Sequence, residues 1–161
     1  MEATQVPQAW QLYPSVSGDG LPGSVLYNSG LLSIGPQQDA PYLHLIGLPM
    51  AEATAEGMAT EAEANWFYEF EEAVVPAAEK QGFFPVSRVC SHARWELSFY
   101  GPAERNLLQV LDVIGSVGKE RELTVSVESD ENWAYLNDYI CLLYTSPSPR
   151  DATLSRMPSS A

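Results

Sequence analysis

Residues 83–100 read Phe83-Phe84-Pro85-Val86-Ser87-Arg88-Val89-Cys90-Ser91-His92-Ala93-Arg94-Trp95-Glu96-Leu97-Ser98-Phe99-Tyr100. Phe83 to Val89 and Arg94 to Tyr100 are rich in residues that favour extended backbone, and a tight turn at Cys90 to Ala93 joins them. In the second run Trp95, Leu97 and Phe99 project one way, while Arg94, Glu96, Ser98 and Tyr100 project the other. That period of two predicts a half-buried β-hairpin.

The period changes to that of a helix on both sides of this hairpin. Upstream, Glu61 to Gln81 sets Trp66, Phe67, Phe70, Val74 and Ala77 on one stripe, with Gly82 placed to end the helix. Thr60 and Glu63 have capping-box spacing. Pro76 is discordant, because an interior proline loses a hydrogen bond, so the last turn is expected to be bent or separate. Downstream, Gly101-Pro102 breaks the strand, and Ala103 to Val117 carries Leu107, Leu108, Leu111, Ile114 and Val117 at helical spacing.

Further out, Tyr42 to Leu48 is apolar on both alternating faces, as in a central strand. Leu123, Val125 and Val127 alternate with Thr124, Ser126 and Glu128 in a final strand. Ser129 or Asp130 is placed to cap a last turn through Tyr139. Trp10 to Val16 and Leu21 to Leu32 read as an N-terminal hairpin around the turn signal Ser17-Gly18-Asp19-Gly20, with a bend or bulge at residues 28–30. Residues 34–41 and 51–60 read as loops. The expectation is one α+β domain over residues 1–140: a ferredoxin-like β-α-β-β-α-β core preceded by a hairpin, with two helices on one face of an antiparallel sheet.

Composition narrows the functional classes. The 161 residues are 45% hydrophobic and only 18% charged, which suits a globular core. The net charge of -13 comes from 21 acidic against 8 scattered basic residues, with no basic stripe. Nucleic-acid affinity rests on phosphate neutralisation, so no nucleic acid is expected as a partner, nor an anionic membrane. A basic protein surface fits better. The first ten residues lack a signal-peptide pattern and no run is long enough to span a bilayer, so a cytoplasmic location is expected. Cys90 and Cys141 belong to no disulfide or metal framework and are expected to be reduced thiols.

Residues 141–161 read differently. Cys141 to Asp151 resembles the transposon end and primer of a translated sequencing-library adapter, Ala152 to Leu154 a sample index, and Ser155 to Ala161 the flow-cell end. A Ser/Pro-rich linker would not explain two fixed blocks flanking a variable triplet. The expectation is a non-native, disordered tail on a domain truncated after Ile140.

No phosphate loop, dinucleotide fingerprint, metal-spaced Cys/His set or nucleophile elbow occurs. No cofactor and no metal ligand are therefore assigned, and no residue is assigned a catalytic role. His44 on the central strand is read as a core histidine, with a base or ligand as its functional alternative. His92 is expected to be exposed in the turn, and a Cys90–His92 thiolate–imidazole pair would need an orienting third group. Glu61, Glu63, Glu69, Glu71 and Glu72 read as the solvated face of the first helix. The distinctive material is aromatic: Trp10, Tyr13, Tyr100, Trp133 and Tyr139 form the candidate binding surface, against the alternative of plain packing.

Four short motifs carry a resemblance: Trp10-x-x-Tyr13; Asp19-Gly20-x-Pro22; the Val89 to Tyr100 hairpin ending in Phe99-Tyr100; and Asp130-x-x-Trp133 followed by Asp138-Tyr139. In their order and spacing the chain resembles, over residues 8–140, a bacterial domain-of-unknown-function family, number 695. The turn at Ser91-His92 lacks the family's Asn-Gly, and its terminal Tyr-Pro is replaced after Ile140. The resemblance implies a cytoplasmic bacterial domain without assigned activity, sometimes joined to a domain similar to ribonuclease E inhibitor B. A non-catalytic protein-interaction or regulatory module is the leading expectation. The alternative is a small-molecule-binding domain, or an enzyme, with an aromatic-lined pocket near His44.

Overall fold

The computed structural model describes residues 6–102 and 105–140. Six strands form one sheet: β1 (Trp10–Val16), β2 (Pro22–Asn28), β3 (Tyr42–Pro49), β4 (Phe84–Ser91), β5 (Arg94–Gly101) and β6 (Thr124–Ser129). Their spatial order is β1-β2-β4-β5-β3-β6, and every neighbouring pair is antiparallel. The fold is α+β: an open antiparallel sheet with helices packed on it. From β3 onward the expected β-α-β-β-α-β sequence of elements is present, with an extra short helix.

Between the strands run α1 (Leu31–Ile34), α2 (Glu61–Lys80), α3 (Leu107–Val110) and α4 (Asp112–Arg121). The stripe of α2 buries Phe67, Phe70, Val74 and Ala78 against Ile46 and Leu48 of β3 and Trp95, Leu97 and Phe99 of β5. Leu107, Leu111 and Ile114, from α3 and α4 and the residue between them, join the same core. Both longer helices therefore cover one face, here the helix face. In it Phe67 stacks on Trp95 with ring centroids 3.9 Å apart.

The far face is covered by a different device. The alternate residues Tyr13, Val25, Leu43, Val86 and Tyr100 meet Leu31 of α1, Ala40, and Trp133, Leu136 and Ile140 near the C-terminal end of the described chain. That last segment is a six-residue π-helical turn, Tyr135–Ile140. Trp133 stacks on Tyr100 with centroids 4.5 Å apart, and its indole N–H donates to the Ala40 carbonyl at 2.9 Å. Asp130 caps the turn, accepting from the amides of Ala134 at 2.8 Å and Tyr135 at 3.0 Å and from the Tyr100 hydroxyl at 2.7 Å. Burial, then Asp130, push the Tyr100 phenol above its ordinary pKa. Trp133 itself has φ 56°, a left-handed conformation costing a non-glycine residue about 1–3 kcal/mol. The stack and the two sets of hydrogen bonds hold it there.

Several boundaries differ from the sequence expectation. Residues 31–34 are helical rather than extended, because the chain turns after Asn28, whose side-chain oxygen accepts from the Gly30 and Ala9 amides. The helix expected over 103–117 begins at Leu107 behind an Asn106–Gln109 capping box, breaks at Leu111, whose φ and ψ are extended, and continues to Arg121. Residues 103 and 104, its expected start, lie outside the described residues. Helix α2 is one element through Pro76, which is exposed, so the carbonyl that loses its partner faces water. Thr60 does accept from the Glu63 amide at 3.3 Å, but the Glu63 side chain does not complete a capping box. The expected tail of residues 141–161 lies outside the described residues.

Candidate functional site

The covering segment leaves part of the far face open, at the end of the sheet where β4 turns into β5. There Leu45 and Gly47 of β3, Val89 and Ser91 of β4, Arg94 and Glu96 of β5, and Thr124 and Ser126 of β6 line a groove of about 270 Å³. Alternation explains the lining: Trp95 points into the helix-face core, so Arg94 and Glu96 must emerge on the other side.

Gly47 shapes the floor. A Cβ added there would lie 3.0 Å from Nη2 of Arg94 and 3.1 Å from Oγ1 of Thr124. The Arg94 side chain thus crosses β3 over the bare backbone of Gly47 and reaches toward β6. Three of the four arginines among the described residues are hydrogen-bonded to a side chain: Arg88 to Glu71, Arg105 to Gln81 and Arg121 to Glu63. Arg94 has no hydrogen bond and no ion pair among the described residues. Glu96 is half-buried; burial raises its carboxyl pKa and Arg94 opposes the rise. Its charge in turn adds to the effect of burial in raising the phenols of Tyr135 and Tyr139, which places it toward the covering segment.

The turn at the mouth of the groove is strained. His92 and Ala93 have φ 51° and 60°, the two left-handed positions of a type I′ hairpin for which Asn-Gly is the natural pair. Neighbouring loops hold it: Ala93 donates to Gly57 at 2.9 Å and accepts from Met50 at 2.8 Å. His92 Nε2 lies 3.0 Å from a carboxylate oxygen of Asp19. Ser17 and His92 together draw the Asp19 carboxyl down to about 2.

Of the five aromatic candidates, four gather on the far face around the covering segment rather than around a groove. Tyr100 and Trp133 are fully buried, and Tyr13 donates to the Ile140 carbonyl at 3.1 Å. Tyr139 is half-buried and stacks on Tyr135. Trp10 stands apart on β1, exposed, its indole N–H on Gln8.

His44 is 0% exposed on the helix face, edge-on to Phe83 at 4.9 Å. Neither ring nitrogen makes a hydrogen bond of good geometry among the described residues, and burial lowers its pKa. It does not line the groove. Cys90 is a free thiol buried in the helix-face core, and burial raises its pKa. It faces away from His92, whose ring turns to Ser91 and Asp19 instead.

The acidic face of α2 needs a correction. Glu61, Glu69 and Glu72 are exposed, but Glu71 pairs with Arg88 at 3.0 Å and Glu63 is only 3% exposed. The Glu63 carboxylate accepts from Arg121 at 2.6 and 3.2 Å, from the Trp95 indole at 2.8 Å, and from the amides of Ala51 and Glu52 at 3.2 and 3.3 Å. Arg121 also lies over the Trp66 ring, 3.6 Å from its centroid. Burial works to raise the Glu63 pKa, but Arg121 and Trp95 outweigh it and hold the group below its ordinary value. Five donors on one carboxylate tie α2, α4, β5 and the 51–60 loop together.

Sequence reasoning missed Arg94, Gly47, Thr124 and Ser126. Gly47 was the available signal, since a glycine inside an apolar strand marks a close approach of another group. Among the described residues no group of His, Cys, Asp and Glu is arranged to hold a metal ion, and no helix is long and apolar enough to cross a membrane. No curated protein and no solved structure matches the chain. The model of one family does match, over residues 8–141, most of the chain and all four sequence motifs, and the chain accordingly belongs to the Family of unknown function (DUF695).

Proposed function

We propose that the domain is a protein-interaction module that accepts an extended peptide segment along the free side of β6. The carrying observation is the difference between the two edges of the sheet. Among the described residues strand β6 pairs with β3 alone, and the Asp130 amide donates to the Pro41 carbonyl, in register with that pairing. Antiparallel alternation then turns the amides of Thr124, Ser126 and Glu128 toward β3 and those of Val125, Val127 and Ser129 outward. Strand β6 holds no proline and no bulge in its pairing. At the opposite edge the Ser29–Ala9 and Ser17–Leu21 hydrogen bonds turn odd-numbered residues of β1 toward β2, so the outward position at its centre belongs to Pro14, which has no N–H. One edge is blunted and the other is a template for strand addition.

The acid excess suits a peptide flanked by basic residues, in keeping with a basic protein partner. A site around His44, the alternative, would need an opening to that buried ring. Selection from a displayed library of random octapeptides against the full chain tests the proposal. Enriched peptides should slow hydrogen exchange at Val125, Val127 and Ser129. V127P, which removes one outward donor and leaves the β3 ladder intact, should weaken them about tenfold or more at unchanged far-UV circular dichroism. Peptides that bind V127P as tightly, protecting other amides, would sink it.

A further inference from the structure

We propose that Arg94 reads an acidic side chain of the peptide segment docked on β6, a specificity that rests on the strand-addition reading above. A strand added beyond β6 places alternate side chains on the far face, next to Thr124 and Ser126. Arg94 starts opposite Pro49 of β3, two strands from β6 and three from the added strand, yet its guanidinium is drawn across β3 toward that edge. The bare backbone at position 47 leaves room for this, because a Cβ there would lie 3.0 Å from Nη2 of Arg94 and 3.1 Å from Oγ1 of Thr124.

The chemistry favours a carboxylate. A guanidinium presents a planar fork of donors that matches a carboxylate bidentately, while the Thr124 hydroxyl beside it is engaged in donating to the Gly47 carbonyl at 3.3 Å. Every other arginine among the described residues is already bound to a protein acceptor. Basic flanks and one acidic residue in the bound segment are compatible, since the domain's net charge acts at long range and Arg94 acts in contact.

The probe is a capped octapeptide of alternating valine and threonine with lysine at each end and one central glutamate, compared with its glutamine twin. Both are titrated against the full chain and against R94Q, R94K and V127P. The glutamate peptide should bind wild type roughly five- to tenfold more tightly than its twin, as expected for a half-exposed charge-assisted pair. R94Q should abolish the difference while leaving the glutamine peptide unaffected, and R94K should retain part of it. Equal binding of the two peptides to wild type, with V127P still weakening both, overturns the role of Arg94 and leaves strand addition standing. Failure of both peptides to bind, or indifference of both to V127P, overturns the two together. Arg94 is exposed and unpaired, so loss of fold should not confound R94Q; an unchanged melting temperature checks this.

Discussion

The two faces of the sheet are covered in different ways. The helix face is closed by a 20-residue amphipathic helix and a second shorter one, whose side chains interdigitate with those of β3 and β5. The far face is covered in part by a short irregular segment that one tryptophan anchors and a capping aspartate orients. A helix distributes its hold over many contacts; the terminal segment concentrates its hold in a few. The first arrangement should fail globally and the second locally.

The largest test of that contrast is Phe67→Ala. It removes the ring stacked on Trp95 and should cost about 4 kcal/mol, seen as a lowered urea midpoint with one cooperative transition. Trp133→Ala should cost roughly 3 kcal/mol, and hydrogen exchange should show the loss confined to residues 130–140 and the strand positions beneath them. If Trp133→Ala melts the helix face to the same extent, the faces are one cooperative unit and the contrast fails.

Glu63→Gln probes the polar tie within the helix face. It leaves Arg121 without its charge partner and turns one of the two accepting oxygens into a donor that faces either the Trp95 indole or the loop amides, so it should cost about 3 kcal/mol at neutral pH. The folded pKa of Glu63 is depressed below its ordinary 4.5. Its contribution is therefore complete above that value and is lost as pH falls through the folded pKa. The wild-type acid limb should be steeper than that of Glu63→Gln below pH 4.5, and coincident limbs would remove Glu63 from the acid response.

Tyr13→Phe deletes the hydroxyl that holds the Ile140 carbonyl and should cost about 1 kcal/mol, with faster exchange at the end of the covering segment only. The smallest effect is a gain. Ala93→Gly relieves a left-handed residue at the β4–β5 turn, and the relief slightly exceeds the added freedom of the unfolded chain, for about 0.5 kcal/mol of stabilisation. This turn serves both faces, so its effect should be uniform in exchange measurements.

The same contrast explains what could be read from the sequence. The helix face was legible because Phe67, Phe70 and Val74 repeat at helical spacing opposite the period-two run Trp95, Leu97, Phe99. The order of strands from Tyr42 onward followed from those periods. The far-face cover was not legible: six residues in a π-helical turn have too short a repeat to register, and Trp133, Tyr100 and Tyr13 look the same in sequence whether they fill a core or an interface. Helix 107–121 was mis-bounded because Leu111 fits an apolar helical stripe although its backbone is extended. Glu63 sat among solvated glutamates and differed through partners distant in sequence, Trp95 at 32 positions and Arg121 at 58, which no local pattern reveals. The groove escaped for a related reason, since Arg94, Gly47 and Thr124 converge only through sheet pairing.

Pro14 has a consequence at the level of assembly. A sheet able to extend from both sides could recruit copies of itself without end and grow into a fibre. Under the proposed strand addition, with growth stopped at β1, each molecule would have a single valence: two copies could meet through β6 to make a closed twelve-stranded pair, or one copy could hold one guest, and either event would terminate the array. Replacing Pro14 would restore the second valence and with it the hazard of polymerisation.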